Sequence, residues 1–326
     1  MKRLGLIGLV IAILCNTAAG QQNAPINEYS GICDASAAAP LSGDMFVVAN
    51  DEDNVLRVYR FGEPNAVHAF SLDGFLRPDP SEPEADIEGA ARIGDQIYWV
   101  TSHGQNKNGR DRPSRHRLFA TTIAIQDGKP TLTPAGVAYT NLRADLITAP
   151  QLAKYKLMVA ATLAPEEPGG LNIEGLAATP DGRLLLGFRN PITDGKALLV
   201  PIENPEEVIL GKKAQIGMPI EIVLDGRGIR SIEFDPERKI YFIVAGPPDD
   251  LGTFAAYTWS GPGNDPEIVN GMNLGSLNVE AIFVTPGDKA HLYLVSDDGG
   301  RKIGGIDCKK VDPKAQSFRA MSLIIP

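Results

Sequence analysis

Short apolar runs alternate with polar turn clusters along the chain, and the runs have the length of strands rather than helices. One unit shows the pattern best. Asn172-Ile173-Glu174-Gly175-Leu176-Ala177-Ala178 is an apolar stretch that carries a glutamate near its start. Thr179-Pro180-Asp181-Gly182 is a turn, and a second apolar stretch follows and ends beside Arg189. This predicts a β-hairpin. Counting back six residues from the corresponding turn locates four more copies, with Ser36, Glu88, Arg230 and Glu280 in the place of Glu174. Glu233 imitates this glutamate, but it lies only three residues before Pro236 and is out of register. The five anchors are separated by 52, 86, 56 and 50 residues. A period near fifty with several short strands per unit is the pattern of a β-propeller.

The expected fold is therefore all-β: a single propeller, residues 21–326, of five blades with four antiparallel strands each. Six blades is the alternative if one is hidden in 143–171, where the long interval predicts a partly helical insertion. Residues 21–32 read as an irregular lead-in. Blade five is expected to take all four strands from the C-terminal end, with 305–310 as its third and 317–324 as its fourth.

In such a ring the first strand of every blade lines the central channel, and a hairpin returns the chain to its starting side. Glu88, Glu174, Arg230 and Glu280 should therefore meet at one mouth, joined by the ends of the second strands: Asp51, His103, Arg189 and Asp297. A polar excursion, 103–117, leaves the same face and carries Arg115 and Arg117. The opposite mouth, marked by the Asp-Gly turns, shows no comparable set. Carboxylates facing one channel repel each other, which raises a pKa unless a cation is present. Glu88, Glu174 and Glu280 are thus candidate ligands of Ca²⁺ or another divalent metal. Arg230, Arg189, Arg115 and Arg117 are candidate groups for a small polar or anionic ligand. His103 and Asp297 are the candidate acid–base pair. A solvated internal network remains open as the purely structural account.

The first twenty residues change the compartment. Lys2-Arg3, the apolar run to Leu14 and the small residues Ala18-Ala19-Gly20 fit a signal peptide cleaved after Gly20. The apolar run is too short to span a membrane, so a periplasmic or secreted chain is expected. Loss of Lys2 and Arg3 takes the formal charge from −9 to −11. That leaves no basic excess for nucleic acid. Cys33 and Cys308 survive cleavage, either bridged in an oxidising compartment or as two buried thiols. No dinucleotide fingerprint or phosphate-binding loop is present, so no nucleotide cofactor is expected.

The runs Asp51-Glu52-Asp53-Asn54-Val55-Leu56, Asp86-Ile87-Glu88-Gly89, Thr101-Ser102-His103, Arg115-His116-Arg117-Leu118-Phe119, Asn172-Ile173-Glu174-Gly175-Leu176, Gly226-Arg227-Gly228-Ile229-Arg230 and Ser296-Asp297-Asp298-Gly299 resemble the bacterial family of domain of unknown function 3616. The likeness covers about residues 28–324 and implies a propeller with no established activity. More distantly, the Ile-Glu-Gly motif is similar to that of esterase-like phytase and gluconolactonase-like propellers. That resemblance implies a channel-mouth acid holding a divalent metal; Arg230 departs from an all-acid ring. Three readings follow: a metal-assisted hydrolase of a small ester or phosphoester, a non-catalytic module for a small anionic ligand, and a propeller whose outer surface binds a protein partner.

Overall fold

The computed structural model describes residues 25–249, 251–269, 272, 274–288 and 290–325; the signal peptide and its cleavage position lie outside these residues. The chain forms five four-stranded antiparallel sheets arranged as the blades of a propeller. Blade one holds Ala35–Pro40, Met45–Asn50, Asp53–Arg60 and His68–Ser71. Blade two holds Ile87–Ile93, Gln96–Thr101, Leu118–Gln126 and Lys129–Tyr139. Blade three holds Asn172–Ala178, Leu184–Asn190, Lys196–Ile202 and Ile220–Val223. Blade four holds Gly228–Asp235, Ile240–Gly246, Ala255–Trp259 and Glu267–Ile268. The expectation of five blades holds, and the long interval is an insertion of short helical turns within 142–160.

Blade five differs from the expectation. Its inner strands are Val279–Phe283 and His291–Ser296, but its third is Ser317–Ile324 and its fourth is Ile26–Ser30, from the other end of the chain. Ile26 pairs with Met321 and Ser30 with Ser317 in an antiparallel ladder. The lead-in expected over 21–32 is corrected within the described residues, since 26–30 closes the ring. Residues 305–310 contribute to a small hairpin, Lys302–Ile303 with Ile306–Asp307, and to a 3-10 turn, Cys308–Lys310. The reason lies in closure: joining both chain ends in one sheet ties the last blade to the first by a backbone ladder. Ile26–Ser30 has one buried side chain, Tyr29, so its apolar pattern is too weak to read alone. Cys33 and Cys308 are bridged beside this seam, with Cα atoms 5.9 Å apart.

Each gap between neighbouring blades holds its own apolar core. Trp99 and Phe119 fill the gap between blades one and two, Trp259 and Tyr241 that between three and four, and Tyr29, Phe46 and Phe318 the closing gap. The insertion caps the core between blades two and three through Leu146, Leu152 and Tyr155. Inner strands must be lean because blades converge at the axis. A Cβ on Gly175 would lie 2.7 Å from Ile229 Cγ2, and one on Gly89 would lie 2.9 Å from Leu176 Cβ. The glycine after the glutamate in the repeat is therefore a packing requirement. Among the described residues no helix is long and apolar enough to cross a membrane.

Candidate functional site: a divided ring of charge at one channel mouth

All five anchors are β-bulge residues. The ladders skip from Ala35 to Ala37, Ile87 to Gly89, Ile173 to Gly175, Ile229 to Ser231 and Val279 to Ala281. Ser36, Glu88, Glu174, Arg230 and Glu280 are thus the extra residues, one per blade. A bulged residue leaves the ladder and its side chain is re-aimed. On blade three the partner strand also slips, and Arg189 is skipped between the Asn172–Asn190 and Ile173–Phe188 pairs.

Two halves of the mouth differ in charge balance. On the side of blades three to five, arginines satisfy the glutamates. Arg189 Nη1 lies 3.0 Å from Glu174 Oε1. Arg230 Nε lies 3.0 Å from Glu174 Oε2, a charge contact whose angle is too poor for a hydrogen bond. Arg230 Nη2 donates to Glu280 Oε1, and its guanidinium sits 5.5 Å over the Phe254 ring. Asn172 Nδ2 donates to Glu174 Oε1 at 2.8 Å. Glu174, Arg189, Arg230 and Glu280 are all buried. Burial pushes Glu280 up to about 8, with Arg230 opposing and Asp297 adding to the rise.

The side of blades one, two and five carries an excess of acid. One oxygen each of Asp34, Asp51 and Glu52 lies within 4.8 Å of the others. Asp51 Oδ1 is shut off from solvent and has no hydrogen-bond partner among the described residues. Asp34 forms an isolated bridge with Asp297, and the backbone N–H of Gly299 donates to Asp297 Oδ1 at 2.7 Å. A Cβ on Gly299 would overlap Asp34 Oδ1, so Gly299 leaves room for the acids. Burial raises Asp34 to about 7, helped by Asp297 and opposed by Lys309. Burial, then Asp297 and Asp34, holds Asp51 well above the carboxylate range. Glu88 is raised in the same way, by burial and then by Asp86, Glu174 and Glu280. Glu88 forms no hydrogen bond among the described residues. The cation beside the cluster is Lys309, 2.9 Å from Glu52 Oε1 and 3.6 Å from Asp34 Oδ1, on a half-exposed side chain. An open cleft of about 440 Å³ is lined by Asn278, Asp297, Asp298, Arg301 and Arg319.

The remaining sequence candidates have other surroundings. Arg115 bonds Glu84 and lies 3.0 Å from Asp86. Arg117 donates to the carbonyls of Pro113 at 2.7 Å and His116 at 3.0 Å. The ends of the excursion, 103–106 and 114–117, are tucked in, while 107–111 are exposed. His103 is fully buried, its Nδ1 is 2.8 Å from the Thr101 carbonyl, and its ring stacks on His116 at 6.1 Å. Burial drops its pKa to about 3, so the imidazole is neutral at physiological pH.

Sequence reasoning assigned no role to Asp34, Asp86 or Lys309. Asp34 and Asp86 stand two residues before the anchors Ser36 and Glu88; Asn172 and Asn278 hold the same place before Glu174 and Glu280. That register was the available signal. Lys309 reaches the mouth only through the bridge and the small hairpin, and no local pattern marks it.

The fold and site together define a five-bladed propeller with a charge-divided axial mouth. A family model described as a protein of unknown function, DUF3616, matches residues 34–122 and 114–278, and the chain belongs to that family. No curated protein matches the sequence. Among solved structures, it is similar to Myxococcus xanthus glutaminyl cyclase at 13% identity and a TM-score of 0.46, covering 92% of this chain and 96% of that one. It is similar to luciferin-regenerating enzyme at 8% identity and a TM-score of 0.45, covering 92% and 95%. The β-propeller domain of Cps50 (Swd1) from Myceliophteria thermophila matches at 9% identity and a TM-score of 0.36, covering 91% and 99%.

Proposed function

We propose that the chain is an exported propeller that binds Ca²⁺ or another divalent ion at the acidic half of this mouth and presents it to a small polar or anionic substrate. The observation that carries the reading is the trio Asp34, Asp51 and Glu52, with oxygens within 4.8 Å of one another and one Asp51 oxygen buried without a partner. Oxygens bound to Ca²⁺ at about 2.4 Å lie up to about 4.8 Å apart, so the spacing fits. The chemistry of the set fits as well: all donors are hard oxygens, and burial, then neighbouring carboxylates, raise Asp34 and Asp51, a cost that a cation would relieve. Glu174 and Glu280 give their oxygens to Arg189 and Arg230, which favours the ion on the blade-one side, with Glu88 and Asp297 facing it. Arg115, Arg117, Arg189 and Arg230 all have protein partners, which favours acids over bases as the ligand groups. The disulfide is compatible with export.

Hydrolysis of a small ester or phosphoester is the reaction such a site supports. A bound divalent ion would supply charge to polarise the substrate or an attacking water. Asp297, which lines the cleft and whose pKa burial raises, is the candidate general base beside the ion. Lys309, mobile at its exposed end, yields its place to the ion. His103 is closed off from any substrate and holds the start of the excursion.

The test is thermal unfolding with chelator against millimolar Ca²⁺. Binding to the folded state alone at about 100 times Kd adds about 2.7 kcal/mol, a rise of about 4 °C in a chain of this size. Asp51→Asn should remove most of it. Loss of the shift in Glu174→Gln instead would place the ion on the arginine side. An unchanged wild-type Tm would sink the metal reading. An ester and phosphoester panel on the Ca²⁺-loaded protein then separates hydrolysis from binding.

A further inference from the structure

The other mouth of the channel carries chemistry of its own. There, a cavity of about 500 Å³ is lined by residues from all five blades. Pro40, Ile93, Ala178, Phe234 and Val284 supply one wall element each. The volume lies within the range of small-molecule sites, about 300–1,000 Å³.

Thr285 Oγ1 is buried there without a hydrogen-bond partner among the described residues, and the charged groups around the cavity are engaged, with one exception. Arg92 donates to the carbonyls of Pro40 at 3.0 Å, of Gly94 at 2.9 Å and of Leu41. Asp235 accepts from the backbone of Glu237 at 2.9 Å and from Arg238 Nη1 at 2.9 Å. Asp288 is held by His291 and Tyr293. The exception is Glu233, which lines the cavity and has no cation paired with it among the described residues.

The repeat shows how unusual this carboxyl is. Three residues after the anchor, the other four blades carry Ala39, Ala91, Ala177 and Phe283, and each belongs to an inter-blade apolar core. Glu233 alone puts a carboxyl in that register, at the edge of the cavity. Four blades demonstrate that packing asks for an apolar group here, and burying a carboxyl without a cation is costly. The residue excluded from the anchor set by its turn spacing is thus an acid in the apolar register at the second mouth, where Asp235, Glu237 and Asp288 also line the cavity.

We propose that this cavity is a second binding site, for a small primary amine with an apolar body, whose ammonium group pairs with Glu233. The apolar wall takes the body, and the carboxylate takes the charge in a water-poor setting where such pairs are selective. Volume excludes a polypeptide segment of any length. Burial raises Glu233 to about 8, with Val284 N–H opposing and Asp235 contributing. Arg92, Asp235, Glu237 and Asp288 are the charged groups lining the cavity with it, and each has partners of its own. The free site therefore holds a proton at neutral pH, and an ammonium ligand expels it.

The test uses the whole mature protein saturated with Ca²⁺, so that the acidic mouth is not a rival for cations. A panel of aliphatic and arylalkyl primary amines of four to ten carbons, with phenethylamine as reference, is titrated calorimetrically at pH 7 beside the matching alcohols. At least one amine should bind tenfold or more tightly than its alcohol, with proton release seen as a buffer-dependent heat. Glu233→Gln should weaken it at least tenfold, while Asp51→Asn leaves it unchanged. Glu233→Leu should raise the Tm of the free protein, since it restores the apolar register. Failure of every amine to bind, binding that survives Glu233→Gln, or binding lost in Asp51→Asn would overturn the proposal.

Discussion

Replacing Arg230 by alanine tests the electrostatics of the mouth most directly. Arg230 is buried and contacts both Glu174 and Glu280. Removing one partner of a buried ion pair costs about 3–5 kcal/mol. The lower end applies here. Arg189 still lies 3.0 Å from Glu174, Asn172 still donates to it at 2.8 Å, and Glu280 can take up a proton. A loss of about 3 kcal/mol corresponds to a Tm about 5 °C lower in a chain of this size. The pH dependence follows from the sign of the shift. Glu280 is at about 8 with Arg230 opposing the rise, so the variant moves it further above its unfolded value near 4.3. A raised folded pKa contributes stability that is full below the unfolded pKa and is lost as pH rises through the folded one. The variant should therefore come closest to the parent near pH 5 and fall furthest behind near pH 9. Thermal unfolding in chelator at pH 5, 7 and 9 reads this. Glu280→Gln in the same background should recover part of the loss at pH 9. A loss of equal size at all three pH values, or none at pH 9, would refute the reasoning.

The Ca²⁺-dependent gain in Tm should be small at pH 5.5 and grow through pH 7 to 8, because an ion must displace the proton that Asp34 holds at about 7; a gain that shrinks with pH contradicts the site. Lys309→Met should tighten Ca²⁺ binding by removing the competing ammonium beside Glu52 and Asp34, as calorimetry can show. Reduction of Cys33–Cys308 should lower stability by up to about 5 kcal/mol, since the bridge closes a loop with a separation of 275 residues; unchanged denaturant midpoints with and without reductant would speak against it. Gly175→Ala should cost about 1–3 kcal/mol by overpacking against Ile229 and Gly187, measured by urea unfolding.

Much of this molecule is written locally. A glutamate or its substitute, a small residue, an apolar run and a turn six residues on recur in each blade, and each piece acts on its own neighbours. The glycine permits the close approach of blades, the turn returns the strand, and the spacing counts the blades. That is why the number of blades, their first two strands and the gathering of Glu88, Glu174, Arg230 and Glu280 at one mouth were legible from the chain. The bulge that turns these side chains was not, because it depends on the register of a strand pair. Blade five was misread for a related reason. Ile26–Ser30 earns its place only from Ser317–Ile324, nearly three hundred residues away, and carries a faint pattern of its own. Which acids meet which cations was decided only by the ring. Arg189 and Arg230 neutralise one half of the mouth, while Asp34, Asp51 and Glu52 crowd the other, because closure brings together residues that share no local signal. Glu233 shows the same division: its sequence excludes it from one mouth, and the tertiary structure alone places it at the other, since a side chain's environment is set by the blades on either side of it.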